Sequence, residues 1–385
     1  MKRSTPVSVA AAAATLTLAV ACTAHQPPNN QHLLDALPDR TIAVVSVGPL
    51  QPPIMPRQDR TTVFAFDENG TALGSLQGGA IYDSQILASP NAIVTTSADS
   101  VTTLTESSRS VTAVDEDMVQ AAVNDPATGR ASVWFNSGDV DGQSANRFVA
   151  IDADNKAASG VVPGMVLAAG YCDGRLFAIS EDRKAAETGT YGSVLYEISP
   201  AGELAVRGRW DYPEDFRPAT RSIPCSADGT TLSALYASNE ARLSESGEPG
   251  LTLVRIDATA GSRTETQLVM HGYSWRISRG SLTRVGEKLF WSTIYGDILS
   301  VPIQGDVTVS HAWKLPSNHL ATKIDVNATT VAQLDFRDVP SYSTYELTTG
   351  KRRSGPISLP WLRPFVDSVT ESGESTYTVT DIAAM

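Results

Sequence analysis

Apolar residues in this chain come in short bursts rather than long faces. Val63-Phe64-Ala65-Phe66, Arg175 to Ile179, Thr231 to Tyr236 and Lys288 to Trp291 are typical. Each burst alternates or is wholly apolar, is rich in β-branched and aromatic residues, and ends at Gly, Asn, Asp or Pro. That is the pattern of strands separated by tight turns. A 3.6-residue period is missing beyond the first 21 residues, apart from a short helical possibility at His32–Leu37. The chain is therefore expected to be all-β.

The bursts repeat in order. A phrase ending in a small polar residue or Asp, often followed by Gly, recurs as VFAFDENG (63–70), VTTLTESS (101–108), RFVAIDAD (147–154), VLYEISPAG (194–202), LTLVRIDATAG (251–261), ILSVPIQG (298–305) and STYELTTG (343–350). Anchored on Phe66, Leu104, Ile151, Ile198, Ile256, Ile303 and Leu347, the spacings are 38, 47, 47, 58, 47 and 44 residues. Four-stranded propeller blades repeat every 40–50 residues or so. In the fourth unit VVPGMVLAAG (161–170) is expected as the first strand, RLFAISED as the second, SVLYEISP as the third and LAVRGRW as the fourth. The recurring phrase is thus the third strand of each unit. Seven phrases predict a seven-bladed β-propeller of four-stranded blades, with eight blades as the alternative. PFVDSVTES and TYTVTDIAA are left over at the C-terminus and TIAVVSV at the N-terminus. They predict a ring closed by pairing N- and C-terminal strands, which leaves only short edges exposed.

On this repeat pattern the chain, over about residues 40–382, resembles the seven-bladed propellers of the broad quinoprotein-like and YVTN-like bacterial group. The WD dipeptide, the Kelch Gly-Gly pattern and the sialidase Asp-box are missing.

The first residues carry a different signal. Lys2 and Arg3 precede an uncharged Ala/Leu/Val run from Val7 to Ala21, too short for the roughly 20 residues of a spanning helix but suited to a secretory signal. Leu18-Ala19-Val20-Ala21-Cys22 resembles a relaxed bacterial lipobox, with Ala19 where Leu is usual. That resemblance implies lipidation of Cys22 and a protein anchored on the extracytoplasmic face of the cell membrane. Residues 1–21 are read as the signal peptide, 22–39 as a polar, Pro-containing tether and 40–385 as the propeller domain.

Composition sharpens this picture. Cys172 and Cys225 are the two cysteines left after Cys22, and they fall at equivalent turns of adjacent units. In an oxidising compartment they are expected to form a cross-blade disulfide. The formal charge of the chain is −12 and becomes −14 without Lys2 and Arg3, which argues against nucleic acid as a partner. A monomer is expected.

Candidate chemistry gathers where fourth strands connect to first strands. Arg221, Arg276, Lys323 and Arg363 fall near the start of four successive first strands, and Tyr273, Trp275 and Trp361 lie close by. Arg279 and His319 share these connections. Converging cations would favour a small anionic ligand, although solvated surface charge and aromatic wedges between blades are the more ordinary uses. Catalytic signatures are thin: G-x-S-x-G and HExxH are absent, and His271 stands alone. Asp139-Val140-Asp141-Gly142 lacks the later acidic ligand of a calcium loop and reads as a turn. No cofactor is expected. The function expected is a membrane-anchored binding or scaffold lipoprotein. The alternative is a lactonase-like hydrolase or lyase holding a divalent metal through Asp83, Asp325 and Asp367 in the channel.

Overall fold

A computed structural model describes residues 32–51, 59–89, 91–125, 127–140, 143–182, 191–212, 216–238, 250–278, 281–305, 307–316, 322–366, 368–369 and 376–385. Cys22, Arg279, His319 and Asp367 lie outside the described residues.

The described residues form seven four-stranded antiparallel sheets, one per blade. Blade 1 contains β1 (Ala43–Pro49), β2 (Arg60–Phe66) and β3 (Ala72–Gly79). Blade 2 is β4 (Ile86–Ser89), β5 (Ala92–Thr96), β6 (Ser100–Thr105) and β7 (Arg109–Ala113). Blade 3 is β8 (Val119–Asp125), β9 (Arg130–Val140), β10 (Gln143–Ile151) and β11 (Ala157–Pro163). Blade 4 is β12 (Met165–Cys172), β13 (Arg175–Asp182), β14 (Tyr191–Ile198) and β15 (Leu204–Tyr212). Blade 5 is β16 (Phe216–Pro218), β17 (Thr231–Ser238), β18 (Leu251–Asp257) and β19 (Arg263–Gln267). Blade 6 is β20 (Thr283–Val285), β21 (Lys288–Ser292), β22 (Asp297–Pro302) and β23 (Ser310–Lys314). Blade 7 is β24 (Thr322–Val326), β25 (Thr330–Asp335), β26 (Ser341–Glu346) and β27 (Arg352–Ser358). The last strand, β28 (Tyr377–Ala384), returns to blade 1 as its innermost strand, in the order β28-β1-β2-β3.

All seven recurring phrases are third strands, and the seven-bladed count holds. Two details differ. Among the described residues the ring is closed by one C-terminal strand, not two: residues 364–366 of the PFVDSVTES segment turn instead of extending. The proposed strand 161–170 is also two strands. Gly164, at φ +82°, ends β11 and starts β12, and a Cβ there would strike the Glu181 carbonyl.

The core is built in the seams between blades. Trp134, Trp291, Phe64, Phe66 and Phe148 are fully buried. Three tryptophans tie one blade to the next through their indole N–H. Trp210 donates to the Gly261 carbonyl (3.2 Å), Trp313 to Leu347 (2.6 Å) and Trp361 to Gly70 (2.7 Å). Each acceptor lies in or beside the third-to-fourth-strand turn of the following blade, so the recurring phrase supplies both a strand and a docking point.

Between blades 4 and 5 the link is covalent. Cys172 and Cys225 form a disulfide with Cα atoms 5.0 Å apart, at the end of β12 and just before β17.

Part of the segment expected as a tether is seated on the propeller. Residues 32–37 are not helical: Leu33 bridges Ser75 in parallel, the chain bends at Asp35 and Ala36, and the Leu37 N–H donates to the Thr105 carbonyl at 2.7 Å. Leu34 and Leu37 are buried with Val63, Leu76, Ile93 and Leu104, across the seam of blades 1 and 2.

Candidate functional site: channel and mouth

First strands line the central channel, so their polar side chains face a narrow space shared by several blades. Asp83 precedes β4 with a left-handed backbone (φ 59°), and Arg221 follows β16. The Arg221 guanidinium donates to the Asp83 carboxylate at 3.1 Å and to the Val119 carbonyl at 3.3 Å. These partners belong to blades 2 and 3, which are not neighbours of blade 5. The arginine side chain therefore links the inner ends of blades 2, 3 and 5. Burial pulls the Arg221 pKa down to about 10, which still leaves it charged at neutral pH.

Each side chain of this pair is 18% exposed, so truncating one partner should cost less than in a dry core. Asp83→Ala is expected to lower stability by about 2 kcal/mol, because it strands the guanidinium charge. Asp83→Ala/Arg221→Met should recover most of that loss in urea denaturation. A single variant as stable as wild type would show that the pair does not brace the channel.

Farther round the channel, Asp325 lies on β24 and Asp381 on β28, in adjacent first strands. Burial pushes the Asp325 carboxyl up to about 6. Burial, and then repulsion from Asp325, push Asp381 up to about 7, against the Ile86 N–H and Lys323, which favour the ionised form. Lys323, expected at the mouth as a ligand residue, is thus an electrostatic neighbour of this acid pair.

The other expected ligand residues have separate surroundings. The Arg276 guanidinium lies 5.7 Å from the Trp275 ring centroid. Trp275 and Tyr273 pack against the apolar cluster of blades 5 and 6, and Tyr273 stacks on His311 at 5.5 Å. Arg363 donates to the carbonyls of Phe336 (3.0 Å) and Arg337 (2.8 Å). Trp361 wedges between blades 7 and 1, with its ring 5.2 Å from Phe64. Arg221, Arg276, Lys323 and Arg363 thus have different near neighbours.

A depression of about 850 Å³, lined by none of the expected ligand residues, lies over blades 1 to 3 on the face of the second-to-third and fourth-to-first connections. Its wall includes Arg60, Asp99, Asp115, Glu116, Asp117 and Ser137. Burial raises the Glu116 pKa, opposed by hydrogen bonds from Ser137 and an ion pair with Arg147 at 3.0 Å. Burial also works against ionised Asp99, but hydrogen bonds from the Ser97 hydroxyl and the Gly79 N–H outweigh it and hold its pKa down. Asp115 and Asp117 are exposed. A signal for this wall was present as Asp115-Glu116-Asp117, a run of acids in a fourth-to-first connection.

Among the described residues no group of three or more His, Cys, Asp or Glu side chains is placed to hold a metal ion. Asp83 and Asp325, expected to share one, have separate partners.

No protein-family model matches the chain, and neither does any curated protein. Among solved structures, AztD from Citrobacter koseri is 13% identical and aligns over 82% of this chain and 95% of its own, with a TM-score of 0.41. The lignostilbene dioxygenase of Pseudomonas brassicacearum is 10% identical over 85% and 91%, with a TM-score of 0.47. The apocarotenoid oxygenase of Synechocystis (a Glu150Gln mutant) is 9% identical over 85% and 91%, with a TM-score of 0.44. Values this low carry no argument about function.

Proposed function

We propose that this chain is a membrane-anchored, extracytoplasmic binding protein that meets its ligand at the mouth of the propeller. The observation that supports this reading is the open depression over blades 1 to 3, beside inner strand ends that are tied together by the Arg221–Asp83 ion pair. A ligand is received on the face of blades 1 to 3. The sequence alone suggested an anion. The acidic wall of the depression instead suits ligands without net negative charge, since a carboxylate or phosphate would meet Asp115 and Asp117 at close range.

The test is a thermal-shift screen of cationic, neutral and anionic small molecules, repeated on Asp115→Asn/Asp117→Asn. Cationic or neutral compounds should raise the melting temperature of wild type and lose that effect in the variant. Hits confined to anions and abolished by Arg276→Ala/Arg363→Ala would move the site to blades 6 and 7 and overturn the assignment.

Anchoring rests on the lipobox resemblance at Cys22. Cys22→Ala is expected to shift the protein from the membrane pellet to the soluble fraction; retention in the pellet after an alkaline wash would contradict lipidation. A hydrolase or lyase acting in the channel is the second reading, and the acid pair Asp325 and Asp381 is the feature that favours it.

A further inference from the structure

Three innermost strands stand side by side where the ring closes: β24 of blade 7, β28 of blade 1 and β4 of blade 2. Two carboxyl groups tie them together. Asp325 on β24 accepts a hydrogen bond from the Ala384 N–H on β28 at 3.4 Å. Asp381 on β28 accepts one from the Ile86 N–H on β4 at 2.8 Å. Each bond crosses a blade junction, the first from blade 7 to 1 and the second from blade 1 to 2. A chain of hydroxyls runs beside them: Ser46 to Ser84 at 2.6 Å and Ser84 to Thr380 at 2.7 Å, with Thr380 donating to the Ser46 carbonyl at 3.2 Å. Thr380 sits at the irregularity where β28 breaks register with β1, so the strand bulges toward this seam.

The charged groups facing the pair are few. β24 contributes Lys323 and Asp325 themselves, and β25 ends in Asp335. β1 and β4 carry no charged residue. Asp83, just before β4, is neutralised by Arg221. From β26, Tyr342 is 1% exposed, feels the Asp325 charge, and has no hydrogen-bond partner for its hydroxyl among the described residues. Two carboxyls thus repel each other in a place with little water, with Lys323 opposing that repulsion at Asp381, and doubly ionised is the costly state.

We infer that Asp325 and Asp381 are a pH-sensitive latch on the ring closure: with a proton between them they hold β28 against both neighbours, and with both ionised they push it away. The direction follows from linkage. Both native pKa values lie above the ordinary 3.8 of the unfolded chain, at about 6 and about 7. Between these limits the native state binds more protons than the unfolded one, so the pair's contribution to stability falls as pH rises from about 4 to about 7 and is flat above. The latch is tightest in mildly acidic surroundings.

The experiment has two readouts on the whole protein. Thermal melts from pH 5 to pH 8 are compared for wild type, Asp325→Asn/Asp381→Asn and the surface control Asp35→Asn/Glu68→Gln, at two exposed acids outside the three innermost strands. The amides can still accept both backbone N–H bonds, so the latch variant should melt several degrees above wild type at pH 8 and show a flatter pH dependence. The control should keep the wild-type slope. In parallel, hydrogen exchange at Ile86 and Ala384, corrected for intrinsic rate, should lose protection in wild type as pH rises and keep it in the latch variant. A latch variant with the wild-type slope, or protection of the two amides that does not change with pH, would overturn the inference.

Discussion

A chain that stops at Thr376, without β28, is expected to lose its cooperative fold. β28 is the innermost strand of blade 1 and the neighbour of β24 and β4. Its Val379, Ile382 and Ala383 side chains are at most 3% exposed, and every residue of β1 beneath it is buried. Returning Val379 and Ile382 to water costs about 4 kcal/mol at 1.5–3 kcal/mol per large apolar side chain. The backbone groups of β1 that face β28 lose their partners too, and each unpaired buried group costs roughly another 1–3 kcal/mol. The total reaches the 5–15 kcal/mol or so that a typical domain has in all. The truncated chain should retain β signal in far-ultraviolet circular dichroism but show no sharp melt, and should be cut readily within blades 1 and 7 by protease. A sharp transition within a few degrees of the full chain would show that the ring does not depend on its C-terminal strand.

The second large effect is expected from the disulfide. Cys172 and Cys225 are 53 residues apart in sequence. In the chain-entropy account, closing a loop of that length stabilises the native state by about 4 kcal/mol through the unfolded ensemble. Cys172→Ala/Cys225→Ala should therefore lower the urea midpoint markedly while leaving the native spectrum intact. Cys172 is 1% exposed and packs with Phe177, Ile223 and Leu232, so alanine also leaves a small void there. Equal midpoints for the variant and the oxidised wild type would remove the bridge from the stability account.

The third strands could be read from the sequence because two demands coincide in them. The strand is buried on both faces, which makes it a nearly continuous apolar run. The turn after it needs a left-handed residue, as at Gly70, Gly202, Gly261 and Gly350. First strands have no such signature. β16 and β20 are three residues each, and around the channel a first strand is allowed a charged residue that no outer face would reveal. TYTVTDIAA was legible as a strand that closes the ring, but the register that puts Asp381 next to Asp325 was not.

The candidate cations were legible as residues but not in their company. A sequence gives the sign of Arg221 and Arg363; it does not show that one lies against an aspartate from another blade and the other on two carbonyls. The disulfide was legible because its two cysteines occupy the same place in the repeat, and any two adjacent blades bring that place together.

The strand that covers β1 is made more than three hundred residues after it. Until β28 has emerged, blade 1 lacks its innermost strand and β1 keeps an uncovered inner edge. Closure is therefore a late event: any product that stops short of β28 presents the bare β1 edge to chaperones and proteases, and pairing with β28 conceals it.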